Sequence, residues 1–146
     1  ARTNMDRYKG FCECLKVYDI EKQDKFCLTT PFDIYSYKQI IFDFLDSLNS
    51  LPEAFVCVSD YIAHFIQFYF SEHPERIPDG IIITGFDASD EYTNVDGQIT
   101  TAEVKTDHLG KRLASQALYR IANPDAPYEL TYVRPDIVYR ESRILI

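Results

Sequence analysis

Two short runs, Ala54–Val58 and Ile81–Thr84, are apolar almost without a break. Runs this brief, bounded by turn residues, read as strands, and their continuity is the pattern of strands covered on both faces. Between them lies the helix-length segment Asp60–Ser71, and ahead of them Tyr35–Asn49, which turns Ile40, Ile41, Phe44, Leu45 and Leu48 to one side. Strand, helix and strand joined by short connections imply parallel pairing through right-handed crossovers. The expected fold class is therefore α/β, a doubly wound, mostly parallel sheet with helices on both faces.

The rest of the chain extends this pattern. Residues 4–18 place Tyr8, Phe11, Cys12, Leu15 and Tyr18 on one helical stripe, and Lys25–Thr30 reads as a short strand ended by Pro31. Pro74, Pro78, Asp79 and Gly80 mark a turn, and residues 87–97 form a polar surface loop. Gln98–Ala102 is expected as a strand. Thr106 or Asp107 then opens a helix carrying Leu109, Leu113, Ala117, Leu118 and Ile121, stopped by Asn123–Pro124. Tyr128–Tyr139 is extended, and Pro135, which cannot donate to a ladder, assigns it to an edge or an irregular strand.

With 146 residues, 46% of them hydrophobic, the chain amounts to about one domain with a real core, filled largely by eleven Tyr and ten Phe. A net charge of −8 weighs against contact with a phosphate backbone. Cys27 and Cys57 are expected inside buried strands, and Cys12 and Cys14 on different faces of a helix. Packing is favoured over a metal or a disulfide for all four. No apolar run approaches a membrane span and no signal peptide is recognised, so the expected compartment is reducing and cytoplasmic.

Ligands of open α/β sheets sit at the carboxyl ends of the strands. Three such ends are available: Thr30-Pro31-Phe32-Asp33, Ser59-Asp60-Tyr61 and Gly85-Phe86-Asp87. Arg7, in the first turns of the opening helix, is expected at the same rim. A carboxylate, a hydroxyl, a guanidinium and an aromatic ring suit a polyhydroxylated ring or a nucleoside. Each has a plainer reading. Asp60 or Ser59 caps the following helix, Arg7 pairs with Asp6 or Glu13 on the surface, and Phe32 belongs to the core. Asp87 precedes a loop rather than a helix, which favours ligand contact.

Catalysis is not expected. His64, His73 and His108 stand on helices or turns, away from any nucleophile at a strand end, and no phosphate loop or His-Glu-x-x-His pattern occurs. No metal and no cofactor are called for. Segment 61–70 carries no formal charge and is apolar nearly all round, so it needs burial on two sides. It either packs under a covering segment or forms a homodimer interface through Tyr61, Ile62, Phe65, Phe68 and Tyr69.

Several segments together resemble the sensor domain of LacI/GalR-type bacterial transcription regulators. They are Arg7-Tyr8-Lys9-Gly10-Phe11, residues 51–60, Arg76-Ile77-Pro78-Asp79-Gly80-Ile81, Gly85-Phe86-Asp87, Thr100-Thr101, Leu109-Gly110 and Ile121-Ala122-Asn123-Pro124. The resemblance implies one subdomain of a type I periplasmic-binding-protein-like fold that binds a small effector, usually a sugar or nucleobase. It implies effector contacts at Arg7, Ser59 and Asp87, an aromatic stacking role for Phe32, and a structural role for Asp60. Operator DNA would be reached only through a helix-turn-helix domain absent from these residues. The segment departs from the family after Thr101, where Ala102-Glu103-Val104-Lys105 replaces a basic residue followed by Gln-Pro, and Ser59 stands where Asn is frequent.

On this reading residues 1–146 are a piece of the effector-binding and dimerisation domain. About 1–100 and 128–140 form the C-terminal subdomain, and the helix at about 104–123 belongs to an N-terminal subdomain that is missing. That helix is expected to lack a sheet of its own, and the chain alone to bind effector weakly. A transport-type sugar-binding protein on the same fold is the alternative.

Overall fold

A computed structural model describes residues 2–31, 33, 35–88 and 99–140. Helix α1 (Arg2–Val17) leads through a 3₁₀ turn at Asp24–Phe26 to α2 (Tyr37–Asp46). Strand β1 (Ala54–Val56), helix α3 (Asp60–Glu72), strand β2 (Ile82–Asp87) and strand β3 (Thr100–Glu103) follow, then α4 (Thr106–Ala122) and β4 (Asp136–Val138). The sheet order is β1-β2-β3-β4, parallel for the first three strands, with β4 antiparallel at the edge beside β3. This is the expected mostly parallel α/β architecture.

The core lies between the sheet and the α2–α3 pair. Phe55 and Ile83 point inward with Ile81 and Ile99, against Ile41 and Leu45 of α2 and Ala63, Ile66, Tyr69 and Phe70 of α3. Strand geometry sends alternate side chains to opposite faces, so Val56 and Ile82 project outward and stay 62% and 50% exposed. Only one face of the sheet is covered among the described residues. The expectation of helices on both faces is corrected accordingly. Neither α1 nor α4 has a fully buried residue, and Leu113, Leu118 and Ile121 of α4 are mostly exposed.

The strand expected at Lys25–Thr30 does not form. Phe26 N–H donates to Gln23 O at 3.0 Å and Cys27 N–H to Asp24 O at 3.0 Å, closing a turn that uses the donors a ladder would need. Leu28 still packs against the core, but Cys27 is only partly buried. Cys57 continues β1 instead, its N–H donating to Thr84 O at 2.9 Å, and burial pushes its thiol up to about 12. All four cysteines are free thiols.

The outer side of α3 is partly covered by α2. Tyr69 is fully buried, with its ring edge-on to Phe42 at 5.1 Å and its hydroxyl donating to Asp46 at 2.6 Å. Arg76 fastens the same corner, donating to Leu48 O at 2.7 Å and to Asp46 at 3.1 Å. Tyr69 is therefore a core residue of its own chain and unavailable to a partner, which corrects its place on the expected interface. Phe68 packs near Phe42 at 6.1 Å with Lys38 above it. Tyr61, Ile62 and Phe65 remain half-exposed along the rest of the helix.

Candidate functional site

Parallel strands β1, β2 and β3 all end at one rim, and the polar groups converge there. Ser59 follows β1 and caps α3: its backbone is extended, and its hydroxyl accepts from Ile62 N–H at 3.4 Å. Capping is thus filled by Ser59, and Asp60 is the first residue of the helix. Asp60 is 1% exposed and accepts a hydrogen bond from the Thr101 hydroxyl of β3 at 2.6 Å. A buried carboxylate needs such donors to remain in an apolar setting.

Asp60 fits because Gly85 leaves room for it. A Cβ at position 85 would stand 2.1 Å from Asp60 Oδ1 and 3.0 Å from its Cα. The close approach of α3 to β2 thus depends on a missing side chain.

Beyond Gly85 the backbone turns sharply. Asp87 has φ 106° and Ala88 φ 54°, a region that residues with a Cβ enter at a cost of about 1–3 kcal/mol each. Ala88 N–H donates to Thr101 Oγ1 at 3.2 Å, tying the turn to β3.

Arg7 reaches this corner from α1. Its Nη1 donates to Val58 O at 2.6 Å, its guanidinium lies 3.6 Å over the Phe86 ring, and its Nη2 stands 3.7 Å from Asp87 Oδ1. The surface pairing with Asp6 or Glu13 is replaced by this one; Glu13 is approached by Lys9 instead. Stacking on Phe86 fixes the guanidinium plane, leaving its fork directed to oxygens at the rim. Arg7, Ser59 and Asp87 are thus neighbours around the ends of β1 and β2. Phe32 lies outside the described residues.

Partial burial raises the Asp87 carboxyl above its ordinary value of 3.8, opposed by Arg7 and reinforced by Asp60. A proton held more tightly in the folded state makes stability fall as pH rises from 3.8 through the folded value. Asp87→Asn removes that small penalty. Its urea midpoint is expected to match the wild type in acid below that window and to exceed it slightly above; a constant offset across pH would contradict this.

Three parts of the site were not singled out from sequence: Thr101, Gly85 as a space-making residue, and Phe86 as the platform under Arg7. An open hollow of about 530 Å³ lies beyond β3, lined by residues such as Glu103, Lys105 and His108. Lys105 there is already paired with Glu103 and with Asp136 at 3.4 Å. Neither Arg7, Ser59 nor Asp87 lines it. Among the described residues no group of His, Cys, Asp and Glu could hold a metal ion, and no helix is long and apolar enough to cross a membrane.

Residues 1–143 match the family described as periplasmic binding protein-like domain. The chain belongs to that family. Its curated relatives include the HTH-type transcriptional repressor PurR of Mannheimia succiniciproducens, 26% identical over 140 residues, which are 96% of this chain and 42% of the relative. Among solved structures, a LacI family transcriptional regulator from Enterococcus faecium with bound ribose is 26% identical, with a TM-score of 0.77 over 95% of this chain and 51% of the other. The transcriptional regulator CelR–cellobiose complex superposes with a TM-score of 0.80 at 19% identity, over 95% of this chain and 42% of the other. The chain thus spans less than half the length of the PurR relative it matches. These periplasmic-binding-protein-like relatives are regulators, in keeping with a domain that binds rather than catalyses.

Proposed function

We propose that the chain is the effector-sensing part of a LacI-type transcriptional repressor, binding a sugar or similar polar ligand where the strands end. The observation that carries this is the convergence of Arg7, Ser59 and Asp87 on one rim, in a chain whose family relatives include regulators bound to ribose and cellobiose. Asp87 accepts from ligand hydroxyls, Arg7 donates to ligand oxygens, and Ser59 adds a hydroxyl at the same edge. Phe32 is the proposed stacking aromatic.

One wall cannot enclose a ligand, and binding pockets bury most of their ligand's surface. The opposing wall in this reading is a second subdomain, against which α4 buries its exposed Leu113, Leu118 and Ile121. Closing the two subdomains on effector shifts a two-state equilibrium that a separate helix-turn-helix domain transmits to operator DNA. The intact repressor is proposed to be a cytoplasmic homodimer, with Tyr61, Ile62 and Phe65 of α3 available to the contact and Phe68 at its margin.

Thermal shift of the intact regulator against ribose, cellobiose, sucrose, purine bases and nucleosides tests the reading. A ligand at a hundred times its Kd adds about 2.7 kcal/mol, which raises Tm by about 5 °C or more in a protein of a few hundred residues. The 146-residue chain alone is expected to shift by less than about 1 °C. An equal shift in both, or none in the intact protein with any of these compounds, would sink the proposal. The transport-type alternative predicts the same ligand shift with no effect of ligand on operator binding.

A further inference from the structure

The Thr101 hydroxyl stands between a buried carboxylate and a strained turn. Thr101 is 1% exposed, and its one proton goes to Asp60 Oδ1 at 2.6 Å. That donation fixes the hydroxyl rotor and leaves a lone pair for the Ala88 N–H, which approaches to 3.2 Å. Asp60 has little room to retreat, since its carboxylate fills the space that Gly85 leaves open. The relay thus runs from α3, through β3, to the residue that follows β2. At its end sit the two consecutive left-handed residues, Asp87 and Ala88. Left to itself, a pair of residues with side chains relaxes toward negative φ.

We propose that Thr101 is a positioning residue: anchored on Asp60, it holds the Asp87–Ala88 turn in its left-handed form and so sets where the Asp87 carboxylate stands beside Arg7. The proposal deepens the effector-binding reading and takes its functional meaning from it, but the hold itself exists without a ligand. A merely structural account would need only the shape and strand preference of threonine. Valine supplies both, so the two accounts diverge at Thr101→Val.

The experiment is NMR of the labelled chain as wild type, T101V and T101S. It reads amide exchange of Ala88, the Asp87 carboxyl titration, and exchange of Ile41 and Leu45 in the core. With T101V, Ala88 exchange is expected to accelerate about tenfold or more, as befits loss of one hydrogen bond. The Asp87 midpoint should fall toward the ordinary carboxylate value, while Ile41 and Leu45 are unchanged. T101S, which keeps the hydroxyl, should retain the wild-type Ala88 and Asp87 behaviour. Unchanged Ala88 exchange in T101V overturns the proposal, and so does equal acceleration at Ala88, Ile41 and Leu45. If T101V does not fold, A88G decides, because glycine enters this φ region without penalty: recovery of folding in the A88G/T101V double variant supports the hold, and failure to recover overturns it. These readouts involve no effector, so they stand apart from the sugar and nucleoside shifts that test the binding reading.

Discussion

Gly85→Ala is expected to lower the stability of the chain by about 3–5 kcal/mol, a large share of what a domain this size possesses. The methyl group would stand 2.1 Å from Asp60 Oδ1 and 3.0 Å from Asp60 Cα, so rotating the carboxylate away does not relieve the contact. The first turn of α3 has to lift from β2. Overpacking of this kind costs about 1–3 kcal/mol, and moving Asp60 breaks the 2.6 Å bond from Thr101, which leaves a buried carboxylate short of a donor at a comparable cost. Urea unfolding measures the loss. Asp60→Ala in the same chain clears the space, so the G85A step should cost markedly less on a D60A background, the coupling expected of residues in contact. A G85A midpoint equal to wild type would show that α3 and β2 are not this close.

The second large effect concerns binding. Asp87→Ala in the intact regulator is expected to weaken the effector identified by thermal shift by about 100-fold. A carboxylate accepting from hydroxyls contributes about 1.5–3 kcal/mol per charge-assisted bond, and its removal also releases Arg7, which now lies 3.7 Å from it. Asp87→Asn keeps an acceptor at the same place and should lose less. Calorimetry distinguishes these outcomes, and an Asp87→Ala affinity within about threefold of wild type would remove Asp87 from the site. Because Asp87 carries its partial burial at a cost, Asp87→Asn should bind worse while being no less stable. That opposition is common where a site is held in an unfavourable conformation.

Much of this arrangement was legible before any coordinates. The three- and four-residue spacing of Ile41 and Leu45, and the unbroken run around Phe55, placed α2 and β1 because the periods of helix and strand differ so plainly. Arg7 and Asp87 could be brought together from the rule that ligands meet strand ends. What escaped had physical causes. Lys25–Thr30 has strand-like composition, but hydrogen bonds back to Gln23 and Asp24 close a local turn first. Continuous apolar runs suggested two covered faces, whereas Val56 and Ile82 show that apolar residues can sit on a face this chain does not itself cover. Tyr69 looked like one more aromatic on an apolar helix; only the partner Asp46, far away in sequence, marks it as core. Thr101 on a strand reads as an ordinary strand former, and Gly85 gives no turn signal, since its role is closeness rather than positive φ.

The long excursion between Glu103 and Asp136 leaves and re-enters the sheet on adjacent strands, whose residues 103 and 136 are direct partners. Lys105 is pinned at this doorway to both carboxylates. Helix α4 is therefore carried like a lever on two straps fixed at one point. Any load applied to it is delivered first to β3 and β4. The same β3 carries Thr101, two residues upstream of the fulcrum at Glu103, so movement of the lever and the set of the Asp87 corner share a single mechanical joint.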